Sequence, residues 1–202
     1  MLQSKELSEQ RRVLLGQQKE FQQQNANMRD QIYDNTFFHM LSSLGETIEA
    51  IDLYDKVGKR TTGRDCFRVF FDRLGRSYNK NKKEKNGPLK TFDKLNEEFF
   101  AQVGHEFGHY FRFLYNFFRF LDQNESTQVY HRKILRAFLS DYELALIFYN
   151  CRTKDGTNFK QYIEKYELFD NLPMGLLLDK DHVNFYNAEA YGKNRHYKSE
   201  AP

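Results

Sequence analysis

Tryptophan is absent from this 202-residue chain, and proline occurs only three times. Scarce proline removes the commonest interruption of helices. Runs of β-branched residues are few, which disfavours a sheet-built fold. The two cysteines, Cys66 and Cys151, are isolated and make no metal-ligand spacing. Lone thiols suit a reducing compartment and supply no disulfide framework. The longest uninterrupted apolar run, residues 144–149, is far short of the roughly 20 residues of a membrane span. No signal-peptide pattern opens the chain. The net charge of +3 is too mild to indicate a nucleic-acid partner.

What is abundant is aromatic surface, with 20 Phe and 13 Tyr in a chain that is 40% hydrophobic. That is ample for a buried core, and the composition predicts an all-α fold. The expected architecture is a helical bundle with a long N-terminal heptad-repeat helix. Residues 1–35 form a coiled-coil-like lead helix and residues 36–202 the bundle domain. In the lead, Leu7, Leu14, Phe21 and Met28 recur every seven residues, and Gln10, Gln17, Gln24 and Gln31 follow three positions later. This is coiled-coil spacing, with an apolar seam beside an amide seam. It predicts a homo-oligomer through residues 3–35, against the alternative of a solvated spacer. Tyr33 and Phe37, one turn apart, allow the lead to run on into the next helical stripe without a break.

Residues 57–63 have turn composition, and Gly63 precedes a short amphipathic helix through Phe67, Phe70, Phe71 and Leu74. Residues 77–90, SYNKNKKEKNGPLK, read as an exposed basic loop, more often a solubilising device than a phosphate-binding patch. Another amphipathic helix is expected over residues 89–103.

The most informative stretch is residues 105–150. Its first half is apolar nearly all round, the mark of a buried helix. His109, Arg112, Asn116, Arg119 and Gln123 interrupt it at steps of three and four, on one narrow stripe. The second half, residues 130–150, has a wide apolar face and a polar side carrying Arg132, Arg136, Ser140 and Glu143. A short polar link makes the two helices antiparallel neighbours. If the polar stripes face each other, His109, Arg112, Tyr115, Arg136, Ser140 and Glu143 form a buried seam, with Arg112 pairing Glu143. The seam is either a ligand site or a hydrogen-bond network that sets helix register.

GHYFRFLY (residues 108–115) followed by YHRKILRAFLSDYELALIFYN (residues 130–150) resembles the PutAbiC family of phage abortive infection proteins. The Gln-rich lead into NTFFHML, GRDCF at Gly63 and the late FYNAEAYG fit the same resemblance. It implies a role in antiviral defence, with an unidentified phage-derived trigger, and brings no catalytic activity with it. Many members resemble proteins anchored by apolar helices ahead of the Gln-rich segment. A membrane is therefore a partner only if such helices precede this chain. The expected location is the cytoplasm, either free or as the cytoplasmic part of an anchored protein.

A competing enzymatic reading starts from His105-Glu106-Phe107-Gly108-His109, which matches H-E-x-x-H. In zinc proteases that spacing sets two imidazoles on one helical face with the glutamate as general base. Here it gives a zinc hydrolase with His105 and His109 as ligands and Glu106 as catalytic base. A third ligand is needed, and Arg112 and Tyr115 stand where the extended motif has Gly and His. The favoured expectation is no cofactor, and zinc is the alternative. No histidine follows an arginine at the spacing of helical RNase toxins, and no phosphate loop or nucleophile elbow occurs.

Overall fold

α1 runs from Leu2 to Glu49 as one helix in the computed structural model, which describes residues 2–83, 91–124 and 126–197. The join between the heptad segment and the stripe after Tyr33 is continuous, as its spacing predicts. The chain divides into two compact units, Met1–Leu41 and Ser42–Pro202. The first is helix alone. Inside the second, the last turns of α1 bury Leu44 and Ile48.

A two-stranded hairpin follows, β1 (Asp52–Tyr54) against β2 (Arg60–Thr62), with Leu53 opposite Thr61. Asp55 shapes its turn by accepting from the backbone N–H groups of Val57 and Lys59, and Gly58 adopts φ +86°. Residues 57–63, expected as turn alone, thus contribute a strand. Gly63 takes φ +60° and starts α2 (Asp65–Lys83). The helix includes residues 77–83, which were expected in a basic loop; the rest of that loop lies outside the described residues.

α3 is a single helix, Phe92–Gln123. It fuses the expected helix at residues 89–103 with the first half of the aromatic stretch. Thr91 caps its start by accepting from the Lys94 N–H at 3.4 Å. Its buried face carries Leu95, Phe99, Val103, Phe107, Tyr110, Leu114, Phe117 and Leu121. The second half, expected as one helix, is two: α4 (Val129–Phe138) and α5 (Asp141–Asn150). Ser140 ends the run because its side chain caps α5 rather than bonding back to its own helix. From Glu143 to Tyr149 every residue of α5 is buried, so α5 is the central helix of its unit. The all-α bundle with a long N-terminal helix is observed, and the small hairpin is the addition.

Aromatic rings fill the space around α5. Phe67 of α2 meets Phe107 and Tyr110 edge-on at 4.7 and 4.8 Å between centroids. Phe148 of α5 meets Phe169 at 5.2 Å and Tyr186 at 4.9 Å. α6 (Lys160–Lys165) and several short 3₁₀ turns complete the unit. The late FYNAEAYG docks: Tyr186 donates to the Phe148 carbonyl at 2.6 Å, and Tyr191 is fully buried.

The turn after α5 depends on Gly156. A Cβ there would lie 2.1 Å from the Asn150 carbonyl oxygen. Gly156→Ala is therefore expected to cost about 3 kcal/mol. Gly175, with open space around its Cβ position, is the control, and Gly175→Ala should cost less than about 0.5 kcal/mol. Urea denaturation of both variants measures the difference.

Candidate functional site

The six residues of the expected seam do not form one group. α3 presents two opposed faces, and His109 and Arg112 occupy the exposed one, with Asn116, Arg119 and Gln123. The polar stripe exists as read, but it turns outward. Tyr110 and Arg112 are two residues apart and so project to nearly opposite sides. Burying Tyr110 with its single hydroxyl costs far less than burying a guanidinium.

Glu143 is the residue that turns inward, with no side-chain exposure. Its carboxylate accepts from Tyr110 Oη at 3.0 Å, from the Ser140 N–H at 2.9 Å and from Ser140 Oγ at 2.6 Å. Ser140 in turn accepts from the Glu143 N–H, which completes a capping box. The cation nearest Glu143 is Arg64, 3.7 Å away and 40% exposed, not Arg112. Arg64 also lies over the Phe138 ring at 4.7 Å. GRDCF thereby gains a physical account. Gly63 supplies the left-handed turn, Arg64 reaches Glu143, Cys66 donates to the Thr61 carbonyl, and Phe67 packs on Tyr110. Burial and the Glu143 charge hold the Tyr110 hydroxyl well above the usual phenol range, so it stays a donor.

Arg136 belongs elsewhere again. It donates to Asp170 at 2.9 Å, to the Glu167 carboxylate at 3.2 Å and to the Glu167 carbonyl at 3.2 Å. Glu167 sits at φ +51°, so the arginine clamps a turn that an L-residue resists. Tyr115 is half-buried against Tyr162, at 5.6 Å between rings.

His105 and His109 are exposed one turn apart on α3, with Glu106 half-buried between them. Among the described residues no three His, Cys, Asp or Glu side chains are grouped to hold a metal. Among the described residues no third protein ligand, which a catalytic zinc requires, stands beside His105 and His109.

Sequence reasoning missed His182. The Leu178 N–H donates to Tyr149 Oη at 2.7 Å, which leaves the Tyr149 proton for His182 Nδ1 at 3.1 Å. Burial holds the imidazole pKa below its ordinary value, so this histidine is a neutral core acceptor. Its only signal was a lone polar residue in an irregular tail.

A cavity of about 530 Å³ lies along α3 on the side that Gly104, Gly108 and Arg112 line. Phe100, Phe107, Phe111, Tyr115 and Phe159 give it aromatic walls. Asn150, Thr153, Asp155 and Asn158 bring the turn after α5 to its edge. Arg112 also lines it. Its guanidinium folds back over Gly108, where a Cβ would sit only 3.0 Å from Nη1. Gly108 and Arg112 of GHYFR thus work as a pair, the glycine making room for the arginine. Among the described residues nothing bonds or ion-pairs the Arg112 guanidinium, while Glu97 is tied to the Lys154 N–H at 3.0 Å.

Residues 102–177 match the family model putAbiC, described as "Putative phage abortive infection protein". The resemblance carried by GHYFRFLY and YHRKILRAFLSDYELALIFYN is borne out over that span. The putAbiC region holds Tyr110, Ser140, Glu143 and every cleft residue except Glu97, Phe100 and Ala101. Arg64 lies before it. No curated protein and no solved structure matches the chain significantly.

The two halves of the expected seam should separate in stability measurements. Glu143→Leu strands the Ser140 and Tyr110 donors and is expected to cost about 3–5 kcal/mol. Arg64→Met loses a long, half-solvated ion pair and should cost less than about 1 kcal/mol. Arg112→Leu combined with Glu143→Leu should be additive within about 0.5 kcal/mol. Chemical denaturation of the single and double variants gives all three values.

Proposed function

We propose that this chain acts in antiphage defence by abortive infection, and that the cleft along α3 is where it recognises an anionic ligand produced during infection. The supporting observation is Arg112, a guanidinium held over Gly108 in an aromatic-walled cleft without a protein partner among the described residues. A fork of N–H donors beside apolar walls suits a carboxylate or phosphate carried on a flat or apolar group. The cleft size falls in the range of small-ligand sites. Most of its lining lies in the span that matches the family model, which supports this reading.

The buried Glu143 network is read here as structural, since its carboxylate is already satisfied by Tyr110 and Ser140. We assign the action to the cytoplasm, where Cys66 and Cys151, both free and buried, remain reduced. Among the described residues no helix is long and apolar enough to cross a membrane.

A phage-challenge assay tests the reading. Arg112→Glu is expected to abolish protection with an unchanged melting temperature, because losing one charge-assisted contact weakens an anion by about tenfold or more. Arg119→Glu, on the same exposed stripe but outside the cleft lining, should protect like the parent. Full protection by a folded Arg112→Glu protein overturns the proposal.

A further inference from the structure

The first unit of the chain carries a feature unrelated to the cleft. Leu7, Leu14, Phe21 and Met28 are 70%, 64%, 63% and 58% exposed. A stripe of large apolar side chains held in water over four successive heptads marks a surface that works when covered.

We infer that residues 6–31 of α1 pair with the same residues of a second copy of this chain, parallel and in register. Three observations choose that occupant. The first is the layering. In a parallel pair each heptad position meets its own copy, so Leu7, Leu14, Phe21 and Met28 form apolar layers. Gln10, Gln17, Gln24 and Gln31 then face their own copies, and each amide carries both a donor and an acceptor for the other. An antiparallel pair would set every apolar layer against a glutamine and leave amides facing apolar groups.

The second observation is charge. With Leu7 at the first heptad position, Glu6 and Arg11 flank the seam five residues apart, the spacing that joins parallel strands across it. Among the described residues neither has an ion-pair partner. The third argues against a lipid surface. Residues 1–41 hold five basic and five acidic side chains, without the cationic excess that an anionic membrane attracts. The glutamine layers make the pair weaker than an all-apolar seam would, so exchange between monomer and dimer is expected.

Sedimentation of the full chain over a concentration series is the test. The wild-type chain should move reversibly from monomer to dimer. Leu14→Glu with Phe21→Glu should stay monomeric, with its helix content by circular dichroism unchanged. Gln17→Leu with Gln24→Leu should tighten association at least tenfold. Glu6→Arg should weaken it, and adding Arg11→Glu should restore it. A wild-type monomer at hundreds of micromolar overturns the inference, and so does a dimer that survives Leu14→Glu with Phe21→Glu. A monomer that instead binds phosphatidylglycerol vesicles through the same stripe gives the face to lipid and also overturns it. Failure of the charge swap to restore association rejects the parallel register.

Discussion

A carboxylate with no exposed surface, bonded by groups from two helices and approached by a third, organises the larger unit. Glu143 receives the Tyr110 hydroxyl of α3 and both donors of Ser140, and Arg64 approaches from the start of α2. A buried charge persists only when its lone pairs are filled. The position of Glu143 is therefore tied to a broken helix. Had α4 and α5 been continuous, the Ser140 N–H would be spent within the helix and unavailable to the carboxylate. The break also redirects the chain, so that the apolar run from Leu144 to Tyr149 enters the core along its whole circumference.

α3 separates two kinds of chemistry by helical geometry alone. Its inner face contributes Tyr110 to a closed network, and the outer side carries Arg112 beside an open cleft. Two residues of sequence separate a proton donor kept from water and a guanidinium left in reach of solutes. Val103 and Phe107 serve both sides, packed on the buried face and lining the cleft. Asn96 adds to the closed side by donating to the Tyr149 carbonyl at 2.7 Å.

The periodic parts of the fold were legible in the sequence, because periodicity is what buries a helix. α1, α2 and the aromatic face of α3 follow from the spacing of Leu, Phe and Tyr, and the heptad spacing of the lead needs no tertiary knowledge. The direction of the polar stripe on α3 was not legible. Both faces of that helix are rich in Phe, so apolarity could not tell the inside from the outside. Ser140 was misread because a serine with glutamate three residues later signals a cap only if the preceding helix stops, and the leucine-rich run around it gives no stop. Arg64 could not be paired with Glu143 from spacing, since they stand 79 positions apart with α2, α3 and α4 between them. The left-handed need of Gly63 was the local clue that the segment turns sharply there. His182 and Tyr149 met through an irregular tail that no period describes.

Gly104 and Gly108 stand one turn apart in the middle of α3, and both line the cleft. Each lowers helix stability by roughly 1 kcal/mol relative to alanine. The wall of the cleft therefore coincides with the weakest stretch of an otherwise stiff 32-residue rod. The rod's two ends are anchored by unrelated neighbours: Phe92 against Tyr149 and His182, and Asp122 against Lys165 and Tyr166. The least helix-favouring residues of the rod therefore stand between two fixed ends, where bending costs least.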